Sequence, residues 1–174
     1  MVTLCMLSIH NQSFAQLSVG ATGGAVIWSA EGESNTFPGG TLTLRYGIGE
    51  KIRVGANLGY FVKSVNEVDG DLDISGSISG VPITGTFEYS FGGESFSPYA
   101  GLDLGFYRLG VSFKEDGANL TISDSFFGLA PTLGVMYNLS DNLALNANAK
   151  YHYVLAGDEA LGLIGIGAGI VFKF

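Results

Sequence analysis

The feature that most constrains this chain is a two-residue alternation of apolar with polar or small residues, which recurs in segments of about ten residues. In segment 143–155 every second residue is apolar, and the positions between them include Asn146 and Lys150. Segment 52–63 repeats the contrast. Because successive side chains of a β-strand point to opposite faces, the alternation predicts strands with one apolar and one polar face. About ten residues is also the length with which a tilted strand crosses a bilayer.

The composition narrows the fold class further. Apolar residues make up 47% of the chain and the mean hydropathy is +0.33, yet no apolar run approaches the ~18–20 residues that a membrane-spanning helix needs. The 27 glycines and the aromatic residues, 12% of the chain, suit closely packed strands with aromatic girdles. The chain therefore forms either a soluble all-β core or a membrane barrel.

The connections predict how many strands there are and which way they run. Short connections alternate with longer, more polar ones along the chain. The short connections are 49–51, 92–97 and 140–142, and the longer ones are 29–39, 64–82, 114–124 and 156–160. These connections join eight strands, and an even number places both termini at the end with short turns, which is the periplasmic end of membrane barrels.

Three features depart from the regular alternation. In the predicted fifth strand, 99–113, the apolar residues change parity after Phe106, which predicts a bulge near Tyr107 and Arg108. Pro131 lacks the N–H that a ladder requires, so we expect it at a local irregularity. Segment 75–80, rich in serine and glycine, predicts a flexible loop or a hairpin tip.

The placement of charge decides which face meets lipid. The apolar face carries one charge, Arg108 near a rim. An arginine or lysine at the centre of the bilayer costs ~2–4 kcal/mol, so the apolar face points outward to lipid and the polar face lines the interior. A soluble lipocalin-like barrel has the reverse arrangement. The predicted fold is all-β, an eight-stranded antiparallel up-and-down transmembrane β-barrel. Its interior polar network consists of Arg45, Arg53, Asn57, Glu88, Asp103, Lys150 and His152.

An eight-stranded barrel is just wide enough for its own side chains, which predicts a plugged interior. Enclosed charges need partners to offset their desolvation. We therefore expect three cations, Arg45, Arg53 and Lys150, to pair with Glu88 and Asp103. The alternative is that these charges only line a hydrated lumen.

The N-terminus predicts export. Residues 1–15 combine an apolar stretch with the small-residue pattern Ser13-Phe14-Ala15, which is typical of a cleaved signal peptide. The usual positive region is missing, so either the true start lies upstream of Met1 or the signal is atypical. We expect residues 16–174 to form the barrel domain. The lone cysteine, Cys5, excludes an internal disulfide.

The last ten residues, 165–174, alternate in polarity and end in phenylalanine, and they resemble the final strand of bacterial outer-membrane barrels. Segments 97–105 and 139–145 are similar to the fifth strand and third periplasmic turn of the small OmpA/OmpX-type barrels, the outer membrane protein beta-barrel domain family. The resemblance implies the outer membrane of a Gram-negative bacterium, contact with its lipid and lipopolysaccharide, and recognition of Phe172 and Phe174 by the barrel-assembly machinery.

Several function classes are disfavoured by the charges and residue types. The formal net charge is −8, and no basic stripe exists to neutralise phosphates, which excludes a nucleic-acid partner. Catalysis would need a base beside a nucleophile. His152 is the one histidine beyond the signal segment. It lacks the serine two positions away that is found in lipid A deacylases, the enzymes that this chain would have to resemble. We expect no catalytic residue, cofactor or metal centre.

The longer connections carry most of the acidic residues. Glu67, Asp69, Asp71 and Asp73 are spaced by two and share a face if the strand extends beyond the membrane, which would suit a divalent cation or a partner. The alternative is an ordinary solvated loop. The leading function is a structural or surface-interaction role through these acidic extracellular loops, with an outer-membrane or extracellular protein as partner. A narrow porin-like channel for small solutes is second, and a lipid-modifying enzyme is third.

Overall fold

The computed structural model describes residues 17–30, 33–69, 72–93, 95–115, 118–157 and 159–174. Side chains are described for 17–29, 34–64, 76–93, 95–113, 121–157 and 160–174. The expected signal peptide lies outside these ranges. The strands are β1 Leu17–Ala30, β2 Glu33–Ile48, β3 Ile52–Asp69, β4 Leu72–Ser90, β5 Phe96–Glu115, β6 Ala118–Asn138, β7 Leu143–Ala156 and β8 Glu159–Lys173.

The eight strands form one closed antiparallel barrel, as the sequence predicts. Each strand pairs with the next along the chain, and β8 returns to pair with β1 from Lys173 opposite Ser18 to Leu163 opposite Trp28. Closure leaves no edge strand in the sheet, which a bilayer core requires because it offers no water to backbone groups. None of the described residues forms a helix with the length and apolar character needed to cross a membrane.

The two faces of the sheet are inverted relative to a water-soluble protein. Leu133 points outward and is 68% exposed, whereas Arg45 points inward and is 4% exposed. The same inversion follows every strand, with leucine, isoleucine and aromatic residues outside and threonine, asparagine and charged residues inside. Such a surface is stable only against hydrocarbon. The predicted orientation of the apolar face is therefore confirmed.

The predicted bulge in β5 is wrong. β5 keeps a single register with both β4 and β6 through Tyr107 and Arg108. Tyr107 is buried inside the barrel and Arg108 is exposed outside it. The parity of the apolar residues changes because Leu109 and Val111 lie beyond the outer aromatic residue Phe106. There an outward apolar side chain would meet water instead of lipid, so burial inside the barrel is more favourable.

The longer connections are mostly strand rather than loop. β3 and β4 stay paired out to Asp69 opposite Leu72, and β5 and β6 out to Glu115 opposite Ala118. Segment 75–80, expected to be a flexible loop, belongs to β4 and pairs with both neighbours over most of its length. Serine and glycine have low intrinsic strand preference, but pairing on two sides satisfies the backbone and overrides it.

All four prolines lie in strands, and two of them, Pro82 and Pro131, coincide with gaps inside a ladder. The β6–β7 ladder lacks pairs at Ala130 and Pro131 and resumes at Thr132 in the same register, so the predicted irregularity at Pro131 is confirmed. The β3–β4 ladder is interrupted in the same way at Pro82. A missing N–H is tolerated here because the opposite edge of each strand stays paired.

Tyrosines of β5 fit over glycines of β6 inside the barrel. A Cβ built at Gly134 would overlap the Tyr99 ring, and one at Gly128 would lie 2.8 Å from Cε2 of Tyr107. Tyr99 is only 2% exposed. The glycines therefore provide the space that lets two large side chains lie across a narrow interior.

Gly134→Ala is expected to lower the free energy of unfolding by about 1–3 kcal/mol, because overpacking a filled interior costs that much. Gly23→Ala is the matched control, because Gly23 faces outward and a Cβ there meets nothing within 4 Å. Urea unfolding in lipid vesicles, followed by the fluorescence of Trp28, measures both. Equal stabilities of the two variants would contradict the packing of Tyr99 over Gly134.

Candidate functional site

The candidate site is the polar interior of the barrel, which rests on an apolar floor near the chain termini. Met136, Ala144 and Val171 form this floor and are each at most 3% exposed. They come from β6, β7 and β8, whose inward positions meet there. The floor therefore fills the β6–β8 side of the interior at this end.

Glu88 of β4 is the centre of the charged layer. Its Oε1 lies 2.9 Å from Nε of Arg45, and its Oε2 lies 2.9 Å from Nε of Arg53. Arg53 is the direct cross-strand neighbour of Glu88. Arg45 is one strand further away, and it reaches across β3 because its partner there is Gly55, which has no side chain. Each carboxylate oxygen thus has its own guanidinium, the strong form of a charge-assisted hydrogen bond.

Tyr99 extends this layer towards the opposite wall. The guanidinium carbon of Arg53 lies 5.1 Å from the centroid of the Tyr99 ring, within the range of a cation–π contact. The Tyr99 hydroxyl donates to Oδ1 of Asn146 over 2.8 Å. The resulting Glu88 cluster, Arg45, Arg53, Glu88, Tyr99 and Asn146, joins five strands across the interior.

A second pair of contacts lies further from the termini. Nζ of Lys150 on β7 is 2.5 Å from Oδ2 of Asp103 on β5. The Tyr107 hydroxyl and Nδ1 of His152 are hydrogen bonded at 2.9 Å, and the two rings meet edge to face. Every charge in these inner layers therefore has an opposite charge or a polar partner at contact distance, which offsets the cost of burial.

A small cavity lies beside the contacts of Lys150 and His152. Its volume is about 40 Å³, and its lining includes Arg45, Asn57 and Asp103. Asn57 donates from Nδ2 to Oγ1 of Thr84 over 3.4 Å, while its Oδ1 is buried and has no protein hydrogen-bond partner among the described residues. A polar cavity of this size has room for on the order of one to three water molecules.

The structure brings the sequence-predicted interior residues together inside the barrel. The sequence predicts that the three cations pair with the two carboxylates, and the structure assigns Arg45 and Arg53 to Glu88, and Lys150 to Asp103. Sequence reasoning missed Tyr99 and Tyr107 as members of the network. A signal was available, because both share the inward parity of Asp103 and lie four residues to either side of it.

The remaining candidate residues lie elsewhere. The expected shared face of Glu67, Asp69, Asp71 and Asp73 requires one continuous strand, but β3 ends at Asp69, β4 begins at Leu72, and Asp73 pairs with Val68. Asp71 and the side chains of the other three fall outside the described residues, and among the described residues no group of three metal-binding side chains occurs. Phe172 and Phe174 face outward at the termini end and are 48% and 70% exposed. The backbone N–H of Phe174 still donates to the carbonyl of Leu17 at 2.9 Å, which holds the end of the chain against β1.

The chain is similar to known membrane barrels over its whole length. A family model described as the outer membrane protein beta-barrel domain matches residues 1–174. An uncharacterized protein of Haemophilus influenzae is 22% identical, with 97% of this chain and 92% of that protein aligned.

Solved structures show the same architecture. Neisserial surface protein A is 20% identical, with 91% of this chain and 97% of that chain covered and a TM-score of 0.65. Ail, the attachment invasion locus protein of Yersinia pestis, in complex with the heparin analogue sucrose octasulfate, is 21% identical, with 90% and 97% covered and a TM-score of 0.61. OprG of Pseudomonas aeruginosa is 20% identical, with 92% and 96% covered and a TM-score of 0.60. At these identities the likeness is one of fold.

Glu88→Gln is expected to lower the free energy of unfolding by about 3–5 kcal/mol, because Arg45 and Arg53 lose their shared counter-charge inside the barrel. Glu50→Gln is the control, since Glu50 is exposed in the turn between β2 and β3. Urea unfolding in vesicles gives both values. A loss below about 1 kcal/mol would indicate a lumen hydrated enough to screen the arginines, against the paired interior.

Proposed function

Because the chain belongs to the outer membrane protein beta-barrel domain family, we propose that it is a structural and surface-interaction protein of the Gram-negative outer membrane, with an interior closed to solutes. The observation that carries the closed interior is the Glu88 cluster, which crosses the lumen from β2 to β7. The observation that carries the surface role is the extension of paired strands beyond the lipid-facing belt.

The packing of the inner layers supports closure. Arg45, Glu88, Tyr99 and Asp103 are each at most 4% exposed, so little of their surface meets an aqueous lumen. The cavity beside Asp103 and Lys150 has room for only a few water molecules, whereas passage of a solute requires a continuous opening. Separating Arg45 or Arg53 from Glu88 would leave unpaired charges in a confined space, which opposes transient opening.

In planar bilayers the wild-type protein is expected to give no steady openings of nanosiemens size. Asp103→Ala combined with Lys150→Ala removes the ion pair beside the cavity, and this variant is expected to give brief, smaller openings that show the assay detects a loosened interior. Single-channel recording at fixed voltage measures both. Steady wild-type openings would favour the narrow porin-like channel instead.

The surface role is supported by charge at the hairpin ends. Glu67 and Asp69 lie at the end of β3, Asp73 at the start of β4, and Asp71 between the two strands in the sequence. Ail is seen with a heparin analogue, a sulfated and therefore anionic molecule. An acidic hairpin repels such a ligand, so the complementary partner here is an outer-membrane or extracellular protein with a basic surface, or a divalent cation that bridges the carboxylates.

Neutralising the four hairpin carboxylates, by Glu67→Gln, Asp69→Asn, Asp71→Asn and Asp73→Asn together, is expected to reduce cross-linking to that protein in intact outer membranes by several-fold, and added salt should weaken wild-type cross-linking. Neutralising Glu31, Glu33, Asp158 and Glu159 instead is the matched control. The same partner captured at unchanged yield would contradict the role of the β3–β4 hairpin. Calorimetric titration with Ca²⁺ tests the cation. If the wild type and the control variant give heat of binding and the variant of the β3–β4 hairpin does not, these carboxylates bind the cation.

The environment of His152 supports a non-enzymatic role. Its Nδ1 is engaged by the Tyr107 hydroxyl inside the barrel, and its ring packs against Tyr107. Lipid acyl chains meet the outer face of the strands, away from this histidine. For biogenesis we propose that the barrel-assembly machinery recognises the final strand through Phe172 and Phe174, whose rings are exposed outward.

A further inference from the structure

Arg108 of β5 is the one charged residue among the described side chains that face outward from the barrel wall. Its neighbours on the same face of β5 are Phe106 and Gly110. An arginine on a lipid-facing surface costs little near the interface and several kilocalories near the centre of the bilayer. The depth of Arg108 in the membrane therefore decides what it does.

Pairs of outward aromatic residues that lie opposite each other on β5 and β6, here called aromatic rungs, place Arg108 at the level of the lipid headgroups. Phe96 pairs with Tyr137 near the termini end, and Phe106 pairs with Phe127 near the other end. From Phe96 to Phe106 a strand rises ~33 Å, which at a tilt of ~40° spans ~25 Å of depth, the height of the apolar band in such barrels. Arg108 lies on the next outward rung, just beyond this band.

Among the described side chains, the polar groups that contact Arg108 are hydroxyls rather than carboxylates, and its partner on β4 is Val81. Its Nη2 and Nε lie 2.9 and 3.3 Å from Oγ of Ser123, and its direct partner across the ladder is Ser125. Asp124 lies between these serines on the opposite parity, and none of the three ion pairs among the described residues includes Arg108. The guanidinium thus keeps donors available on a rim of hydroxyls.

We propose that Arg108, Ser123 and Ser125 bind a phosphate group of lipid A in the outer leaflet. A guanidinium offers a planar pair of N–H donors that matches phosphate, and serine hydroxyls supply further donors to its oxygens. The rungs of Phe106 and Phe127, directly below, offer an apolar surface to the acyl chains of the same lipid. This rim is at the end opposite the chain termini, which in this family faces the outside of the cell.

The site depends on the outer-membrane location and not on the acidic hairpins. The chain carries a net charge of −8, so the protein as a whole does not attract an anionic lipid, which needs a local cation to bind in a fixed place. Arg108 supplies that cation on the wall itself. The site would order one lipid molecule against β5 and β6.

Native mass spectrometry of the folded protein in detergent, titrated with diphosphoryl lipid A, tests the site. Arg108→Gln is expected to raise the dissociation constant roughly tenfold, the loss typical of a charge-assisted hydrogen-bonded contact. Arg108→Lys keeps the charge but not the planar guanidinium, and its dissociation constant is expected to lie between those of the wild type and Arg108→Gln. Lys51→Gln is the matched control, since it removes one exposed cation from the turn at the opposite end and should bind as the wild type does.

Three comparisons give results that would overturn the site. If Arg108→Gln binds lipid A with wild-type affinity, and gel mobility before and after heating verifies that it is folded, Arg108 does not belong to the site. If the wild-type protein binds lipid A without phosphates with equal affinity, the site does not recognise the phosphate group. Displacement of the lipid by inorganic phosphate at millimolar concentration would point to a free-phosphate site instead. The variant with four neutralised carboxylates on the β3–β4 hairpin should bind lipid A normally, so this result is independent of the surface role.

Discussion

The pairing of β8 with β1 is the interaction on which the rest of the structure depends. In hydrocarbon an unpaired backbone group costs several kilocalories, so a sheet can cross a bilayer only when it has no edge. Closure at eight strands also fixes a narrow interior. Once that width is set, every inward side chain must fit against those from the other strands, and every outward one must tolerate lipid.

The interior shows how charge and shape share this confined space. Glu88 holds Arg45 and Arg53 at contact distance, and Gly55 opens the way for Arg45 to cross β3. Tyr99 fills the remaining width because Gly134 leaves room for its ring. The result is a layer in which burial, pairing and packing support one another, since loss of one partner leaves both an unpaired charge and a gap.

Much of this arrangement could be predicted from residue types alone, and particular residues show where the prediction stopped. Alternation placed Arg53, Glu88 and Lys150 on the inner face, and the need for counter-charges suggested their pairs. The bulge at Tyr107 was wrong because local parity does not reveal where the lipid ends. The low strand preference of residues 75–80 predicts a loop or a hairpin tip, whereas ladders on both sides hold this segment in β4.

The sequence by itself determined the strand-forming pattern, the outward apolar face and the enclosed charges, because period-two polarity and the cost of charge in hydrocarbon act on each strand separately. Only the tertiary structure decided the contacts between non-adjacent strands: Arg45 reaching Glu88 across β3, Tyr99 meeting Asn146, and the rung that sets Arg108 just beyond Phe106. These depend on the register of strand pairs and on barrel width, which are collective properties of all eight strands.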